Sequence, residues 1–296
     1  MRITFNSSYR EPLADLERAA ERMAVYQRQV SSGKRVHRPS DDPAAAAGAI
    51  GERAELAAID RYAEAADSAE ARLRAADAVL SDLIMQLTNA KVAAQSGRGS
   101  VVTPAQREAA AGALEAVAEA ILADIRVSVA GSYLFSGTAS TTPPYAKTGA
   151  TISAYQGNGS RMAVDLDRNE SLYVSFDARD VVAPGGNDVF AILEALAAAV
   201  RAGDDTAIQA GLDGLDEVFQ AATKVQSEVG NSFRMIESQR DRLNVLGLAS
   251  KTRLSKLEDA NMATAASGLA SSETLYRAAL AAIGSTARLS LLDYLK

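Results

Sequence analysis

The sequence predicts a mainly α-helical protein, an elongated antiparallel bundle of long helices with paired terminal helices and a small β insertion at the tip. Hydrophobic residues make up 48% of the 296 residues but aromatic residues only 5%, with no Trp. The apolar content is therefore largely Ala, Leu, Val and Ile, and small side chains of high helix propensity favour close helix packing. Apolar residues also recur at three- and four-residue spacing through most of the chain, except between residues 132 and 186.

The first element is a short amphipathic helix within residues 1–40. Its apolar residues recur mostly at three- and four-residue spacing, which is the spacing of a coiled-coil seam. Gly33 is the predicted stop, since Gly adopts the left-handed conformation that ends many helices.

A second helix is predicted to restart at the head of residues 41–131. Asp42 can cap the free amides of its first turn, and Pro43 suits the first helical position, where no hydrogen bond is lost. The apolar spacing then continues to about residue 94, which predicts a helix of about 50 residues. "TPAQ" at 103–106 is a capping-box pattern that starts another helix, with an end expected near Ala130 and Gly131.

Residues 132–186 change character and predict a small β insertion of three or four strands. "ATISAYQGNGSRMAVDLD" (150–167) is typical of a strand, a turn at Gly157–Gly159 and a second strand. "SLYVSF" (171–176) alternates apolar and polar residues, as a half-buried strand does.

Helical spacing returns in residues 187–249 and again in residues 250–296. Asn187 or Asp188 is the expected cap of the first of these helices, Gly203 breaks it, and a long segment follows from about Asp204 to Leu248. The last helix ends in the strongly apolar "LSLLDYL", whose side chains cannot all face one partner helix, so we expect several copies to meet there. The apolar positions that we predict for assembly on the two terminal helices are Leu13, Leu16, Met23, Tyr26, Val30, Leu269, Tyr276, Leu280, Ile283, Leu291, Leu292, Tyr294 and Leu295.

The residues that carry chemistry are few, and we predict no enzyme, cofactor or metal. The chain has one His and no Cys, which argues against zinc and thiolate chemistry. His37 is expected to be a surface loop side chain, and Asp41–Asp42 precede Pro43, where capping explains them better than acid–base work. Lys34, Arg35 and Arg38 do not predict a nucleic-acid patch, because the net charge is −6 and no aromatic residues are interleaved.

Targeting features are equally sparse. The N-terminal segment has no apolar core of a secretory signal peptide, and no stretch approaches the ~20 apolar residues of a membrane span. We therefore expect a soluble protein with no membrane partner, which either stays in the cytoplasm or leaves by a route without a cleaved signal.

Four stretches together resemble the flagellin superfamily of bacterial flagellar axial proteins. They are "SSGKRVHRPSDDPAAAA" (31–47), "GSYLFSGT" (131–138), "AYQGNGS" (154–160) and the segment from "SKLEDANMATAASG" to "LSLLDYL" (255–295). The likeness covers essentially the whole chain and is strongest in about the first 60 and last 50 residues. Within the superfamily, the opening "MRIT" and the ending "LSLLDYL" resemble subunits of the hook–filament junction more than filament flagellins.

The resemblance implies a structural role in the extracellular flagellum. Terminal helices would form an inner coiled-coil layer, the long helices the next layer outward, and the β insertion the outer face. Subunits would leave by type III export, escorted by a cytoplasmic chaperone on the C-terminal helices. Their copies would form a ring between the first hook-associated protein and the flagellin filament.

The resemblance also assigns a role to the segment between the first two helices, which would link the inner and outer layers. Gly33 would end the inner helix, Pro39 would keep the link extended and Pro43 would start the outer helix. The charged side chains that we predict to form ion pairs between subunits are Arg35, Arg38, Asp41 and Asp42.

Three alternatives remain open at this point. A minor filament flagellin would share the class of protein but occupy another position in the organelle. A type III-exported helical effector or adhesin would be a stable monomer with ordered ends and a binding β tip. An enzyme would need a pocket of convergent polar groups, for which the sequence offers no candidate set.

Overall fold

The computed structural model describes residues 5–148 and 151–294, and it describes side chains at residue 11, over 13–147 and over 152–285. Its helices are α1 (Phe5–Ser32), α2 (Pro43–Ser96), α3 (Pro104–Ile125), α4 (Arg179–Val182), α5 (Val189–Ala202), α6 (Asp205–Glu258) and α7 (Met262–Tyr294). Its strands are β1 (Ser128–Val129), β2 (Ser132–Tyr133), β3 (Lys147–Thr148), β4 (Thr151–Ile152), β5 (Ala163–Asp167) and β6 (Glu170–Tyr173). The mainly α-helical class with a small β insertion is confirmed.

The chain divides into two compact units. The first unit holds residues 1–59 and 245–296, and the second holds residues 60–244. Helices α2 and α6, each of 54 residues, contribute to both units.

The first unit consists of α1, α7, the start of α2 and the end of α6. Helix α1 packs against α7, so the predicted pairing of the two terminal helices is confirmed. The contact is close where Gly268 meets Tyr26, because a Cβ at residue 268 would lie 2.6 Å from Cε1 of the Tyr26 ring. Only glycine at residue 268 allows the helices to approach this closely without moving the ring.

The second unit has an extensive apolar core. Helices α3 and α5 pack against each other and each buries seven side chains, among them Leu114, Ile121 and Leu193. Phe135 and Tyr145 of the β insertion are almost fully buried in the same core. Burying a large apolar side chain contributes roughly 1.5–3 kcal/mol, so this core is the main source of stability of the unit.

The helix boundaries follow local chemistry as predicted at four places. Gly33 has φ 71° directly after α1, and Asp42 accepts a hydrogen bond from the Ala45 amide (3.0 Å) at the start of α2. Thr103 and Gln106 form the reciprocal capping box of α3. Asp188 rather than Asn187 caps α5, by accepting the amide of Phe190 at 3.0 Å.

Helix α3 ends earlier than predicted. It stops at Ile125 rather than near Ala130, and a tight hairpin of β1 and β2 follows at once. Ala130 (φ 51°) and Gly131 (φ 77°) both take left-handed conformations, which is what a two-residue hairpin turn requires. Gly131 therefore belongs to a hairpin turn and does not end the helix.

The β insertion is built differently from the prediction. It has three separate antiparallel hairpins, β1–β2, β3–β4 and β5–β6, in the described residues. The predicted hairpin turn at Gly157–Gly159 is wrong, because β4 and β5 do not pair. Instead Asn158 binds Thr138, whose backbone amide donates to Asn158 Oδ1 at 2.9 Å, so this loop is held by a segment 20 residues away.

Helix α6 runs further than predicted. The expected break near Leu248 is absent, and α6 continues to Glu258 with Gly247 inside the helix beside Ile59. The chain turns instead at residues 259–261, where Asn261 caps α7 by accepting the Thr264 amide at 3.1 Å.

The described part of the chain offers neither a membrane-spanning helix nor a cluster of metal ligands. None of its helices combines the length and apolar character needed to cross a membrane. It also contains no group of three or more His, Cys, Asp or Glu side chains arranged to hold a metal ion.

Candidate assembly interface

The pair of terminal helices is the first part of the candidate interface. Tyr26 lies against Gly268 at one level, and Asp15 and Arg18 share a groove with Ala282 at another, so α1 and α7 run antiparallel. Asp15 and Arg18 form an ion pair of 2.8 Å at the edge of this groove.

Most of the apolar side chains predicted for assembly are only partly covered in one chain. Leu13 is 48% exposed and Leu280 is 45% exposed. The half-buried positions are Leu16, Met23, Tyr26, Val30, Leu269, Tyr276 and Ile283. Contiguous exposed apolar surface is typical of protein–protein contact sites, and assembly through these positions stays a prediction.

The last predicted positions lie at the end of the chain. Leu291, Leu292 and Tyr294 belong to α7, and their side chains fall outside the described ones. Leu295 falls outside the described residues.

The second part of the candidate interface is the corner where the α1–α2 linker meets the α6–α7 turn. The Arg35 amide donates to the Glu258 carbonyl at 2.6 Å, and the Ala260 amide donates to the Gly33 carbonyl at 2.8 Å. These two hydrogen bonds join segments more than 220 residues apart, so the C-terminal ends of α1 and α6 meet at one point.

Glu258 is the charged centre of this corner. Its side chain is 3% exposed and accepts an ion pair from Lys34 Nζ at 2.8 Å and a second from Arg53. Burial raises the pKa of Glu258, but the hydrogen bonds from Lys34 and Arg53 outweigh it and hold the pKa below its ordinary value. The carboxylate is therefore charged and paired at neutral pH.

Arg35 lies beside Glu258 and connects the same two segments. Its guanidinium donates to Asp42 Oδ2 and to the Leu257 carbonyl, each at 3.0 Å. The pKa of Asp42 is lowered by the amide of Ala45 and by the Arg35 guanidinium. Asp42 therefore both caps α2 and orients Arg35 toward the end of α6.

Asp41 stabilises the turn between the two helices. Its Oδ2 accepts the amides of Arg38 (2.9 Å) and His37 (3.0 Å), and these backbone hydrogen bonds lower the pKa of Asp41. His37 Nε2 lies 2.6 Å from the Ser32 hydroxyl, at the last residue of α1. Pro39 lies within the exposed turn that Asp41 closes.

Some of the linker charges that we predicted to pair between subunits already have partners within one chain. Arg35 and Asp42 form an ion pair with each other, and the Asp41 carboxylate accepts hydrogen bonds from nearby backbone amides. Arg38 is exposed and has no ion pair among the described side chains. A role of these four residues between subunits stays a prediction.

Sequence reasoning missed Glu258 and Arg53. Glu258 stands in the quoted "SKLEDAN", but a single acid near a helix end gives no signal of burial. Only the meeting of two distant segments identifies it as the partner of Lys34.

Together these features define a mainly α-helical bundle protein whose two chain ends form one helix pair with partly uncovered apolar faces. The family profile "Bacterial flagellin N-terminal helical region" matches residues 3–140, and "Bacterial flagellin C-terminal helical region" matches residues 212–295. The two matches cover well over half of the sequence, and the chain belongs to the bacterial flagellin family.

Comparison with individual proteins shows which members of this family the chain resembles. The chain is 23% identical to "Flagellar hook-associated protein 3" of Escherichia coli K12, with 100% of both sequences covered. A hook-associated protein structure of Vibrio parahaemolyticus (19% identity) has a TM-score of 0.63, with 74% of this chain and 97% of that chain covered. The flagellar junction protein FlgL of Legionella pneumophila (12% identity) has a TM-score of 0.61, with 72% and 100% covered. The predicted resemblance to junction subunits of this family is confirmed.

Proposed function

We propose that this chain is a structural subunit of the bacterial flagellum at the junction between hook and filament. The observation that supports this most directly is the pairing of α1 with α7, which brings both family-matched ends of the chain together. Leu13, Leu275 and Leu280 remain substantially exposed on that pair, so the pair offers apolar surface to neighbouring subunits. The role is structural and involves no catalysis.

The proposal also covers the partners of the subunit and the route by which it leaves the cell. Copies of the chain associate through the terminal helices into a ring, with the first hook-associated protein on one side and flagellin on the other. The subunit reaches this extracellular position by type III export without a cleaved signal, escorted by a cytoplasmic chaperone on α7. The full-length similarity to hook-associated protein 3 supports this position over that of a filament subunit.

Deletion of the gene tests the proposal. We expect hooks without filaments by electron microscopy, and flagellin in the medium by immunoblotting, because exported filament subunits would find no platform. Re-expression of the full chain is the control and should restore filaments.

Two other outcomes would contradict the proposal in different ways. Normal or merely thinned filaments would indicate a minor flagellin. Intact, motile flagella would mean that the chain is not a structural part of the flagellum, and would favour an exported effector or adhesin.

A further inference from the structure

The outward face of α6 carries an apolar stripe followed by positive charge. Val245 and Leu248, in the last quarter of α6, are 69% and 68% exposed. Thr252 and Lys256 continue the same face at four-residue spacing, and Lys251 lies beside it. The opposite face of the helix carries Leu243 and Gly247, both of which are buried.

The outward face of α1 carries a matching stripe of opposite charge. Glu17, Glu21 and Val25 are exposed at four-residue spacing, on the side of the helix turned away from α7. Val25 is 40% exposed. No ion pair involves Glu17, Glu21, Lys251 or Lys256 among the described side chains.

The two stripes match residue by residue when the helices are set antiparallel. Val25 then faces Leu248, Glu21 faces Thr252 with Lys251 at its side, and Glu17 faces Lys256. The equal four-residue steps keep this register along two turns, because both helices have the same rise per residue. One turn beyond the apolar pair, the aliphatic stem of Arg28 lies level with Val245.

This match cannot form inside one chain. The C-terminal ends of α1 and α6 meet at the corner, where the Ala260 amide bonds to the Gly33 carbonyl at 2.8 Å. Two helices whose C-terminal ends meet can lie side by side only in parallel. The antiparallel match therefore needs α1 of one molecule and α6 of another.

We propose that the outer face of α1 docks on the outer face of α6 of a second copy of this chain, with Val25 against Leu248 and Glu17 against Lys256. This inference rests on the proposed self-association of the subunit and specifies one of its contact surfaces. Opposite charges on flanking positions fix the register and disfavour a shifted or parallel arrangement.

Cysteine cross-linking tests the contact directly, since the natural chain contains no Cys. Full chains carrying Val25→Cys and Leu248→Cys are mixed and treated with a short bis-maleimide, both as purified protein and on isolated hooks and filaments. We expect a covalent dimer of the two variants, in about tenfold greater yield than for Val25→Cys mixed with Val101→Cys. Val101 is the matched control because it is 92% exposed and lies outside both stripes.

Charge exchange supplies an independent readout. Lys251→Glu with Lys256→Glu should lower the cross-linking yield about tenfold, because carboxylates would then face Glu17 and Glu21. Adding Glu17→Lys and Glu21→Lys to the same chain should restore the yield. The control exchange, Lys224→Glu with Glu194→Lys at exposed positions outside the stripes, should leave the yield unchanged.

Three outcomes would overturn the pairing. They are a yield equal to the Val101→Cys control in both preparations, a charge exchange that fails to restore the yield, or a product that contains a protein other than this chain. Each would leave the proposed junction role untouched, because the gene-deletion phenotype tests that role separately.

Discussion

At the scale of single residues, the buried carboxylate of Glu258 is the most consequential charge. Its pKa lies below the ordinary value because Lys34 and Arg53 favour the charged form more than burial disfavours it. A carboxyl group with a lowered pKa stabilises the fold above its ordinary pKa of about 4.5, and this contribution is lost as the pH falls through the folded-state pKa. The corner should therefore weaken in acid.

The substitution Glu258→Gln tests this. It should destabilise the first unit by about 2 kcal/mol at pH 7, because Lys34 and Arg53 lose their partner but can still reach water. Urea unfolding followed by circular dichroism measures the difference, which should shrink as the pH falls below the lowered pKa of the natural carboxyl group. Glu64→Gln, at an exposed position, is the control. An equal effect of both substitutions would mean that the ion pairs of Glu258 do not stabilise the first unit.

Gly268 decides how closely the terminal helices approach. Gly268→Ala should destabilise the α1–α7 pair by about 1–2 kcal/mol, because the new methyl group would displace the Tyr26 ring. Gly284→Ala in the same helix meets no atom within 4 Å and should instead stabilise α7 by up to about 1 kcal/mol. Thermal unfolding of the two variants should thus shift in opposite directions, and a shift in the same direction would contradict the packing argument.

At the scale of elements, a buried hydrogen bond joins the β5–β6 hairpin to α6. Gln239, which is buried, donates from Nε2 to the carbonyl of the fully buried Leu166 at 3.0 Å. Gln239→Met should destabilise the second unit by about 1–3 kcal/mol, because it leaves that carbonyl without a donor. Arg242→Met, which removes the more exposed ion pair with Asp167, should cost under about 1 kcal/mol.

Amide hydrogen exchange of the hairpin residues distinguishes these two variants. Faster exchange throughout β5 and β6 in Gln239→Met alone supports the anchoring role of Gln239. Equal exchange in both variants would mean that packing alone holds the hairpin in place.

Some elements could be predicted from sequence because their signals are local. The starts of α2 and α3 follow from Asp42–Pro43 and from Thr103–Gln106, whose hydrogen bonds span only three residues. The end of α3 and the loop at Asn158 could not, since the first depends on a hairpin turn with Ala130 in a left-handed conformation and the second on Thr138.

At the scale of the whole molecule, the two units differ in how much they bury. Helices α3 and α5 of the second unit each bury seven side chains, whereas Ala265 and Ser272 are the buried positions among the described side chains of α1 and α7. Local opening is easiest where few apolar contacts hold an element. In the free chain we therefore expect much faster amide exchange over 5–30 and 270–294 than over α3 and α5.

Hydrogen-exchange mass spectrometry of the free chain and of isolated flagella would measure this difference. Protection of the terminal helices should rise on assembly, because neighbouring subunits would cover their apolar faces. Full protection of both terminal segments in the monomer would contradict this and would favour the alternative of a stable, exported monomer.

The sequence by itself determined the helical class, the presence of a small β insertion and the membership of the flagellin family. These depend on periodic apolar spacing, on short-range capping and on terminal motifs, all of which are readable along the chain. The tertiary structure alone decided that Glu258 closes the corner with Lys34 and Arg53, and that Arg35 and Asp42 pair within one chain. The physical reason is that ion pairing depends on distance in space. Lys34 and Arg53 meet Glu258, more than 200 positions away, only when both helix ends have turned, and Arg35 meets Asp42 only when the linker between α1 and α2 has turned.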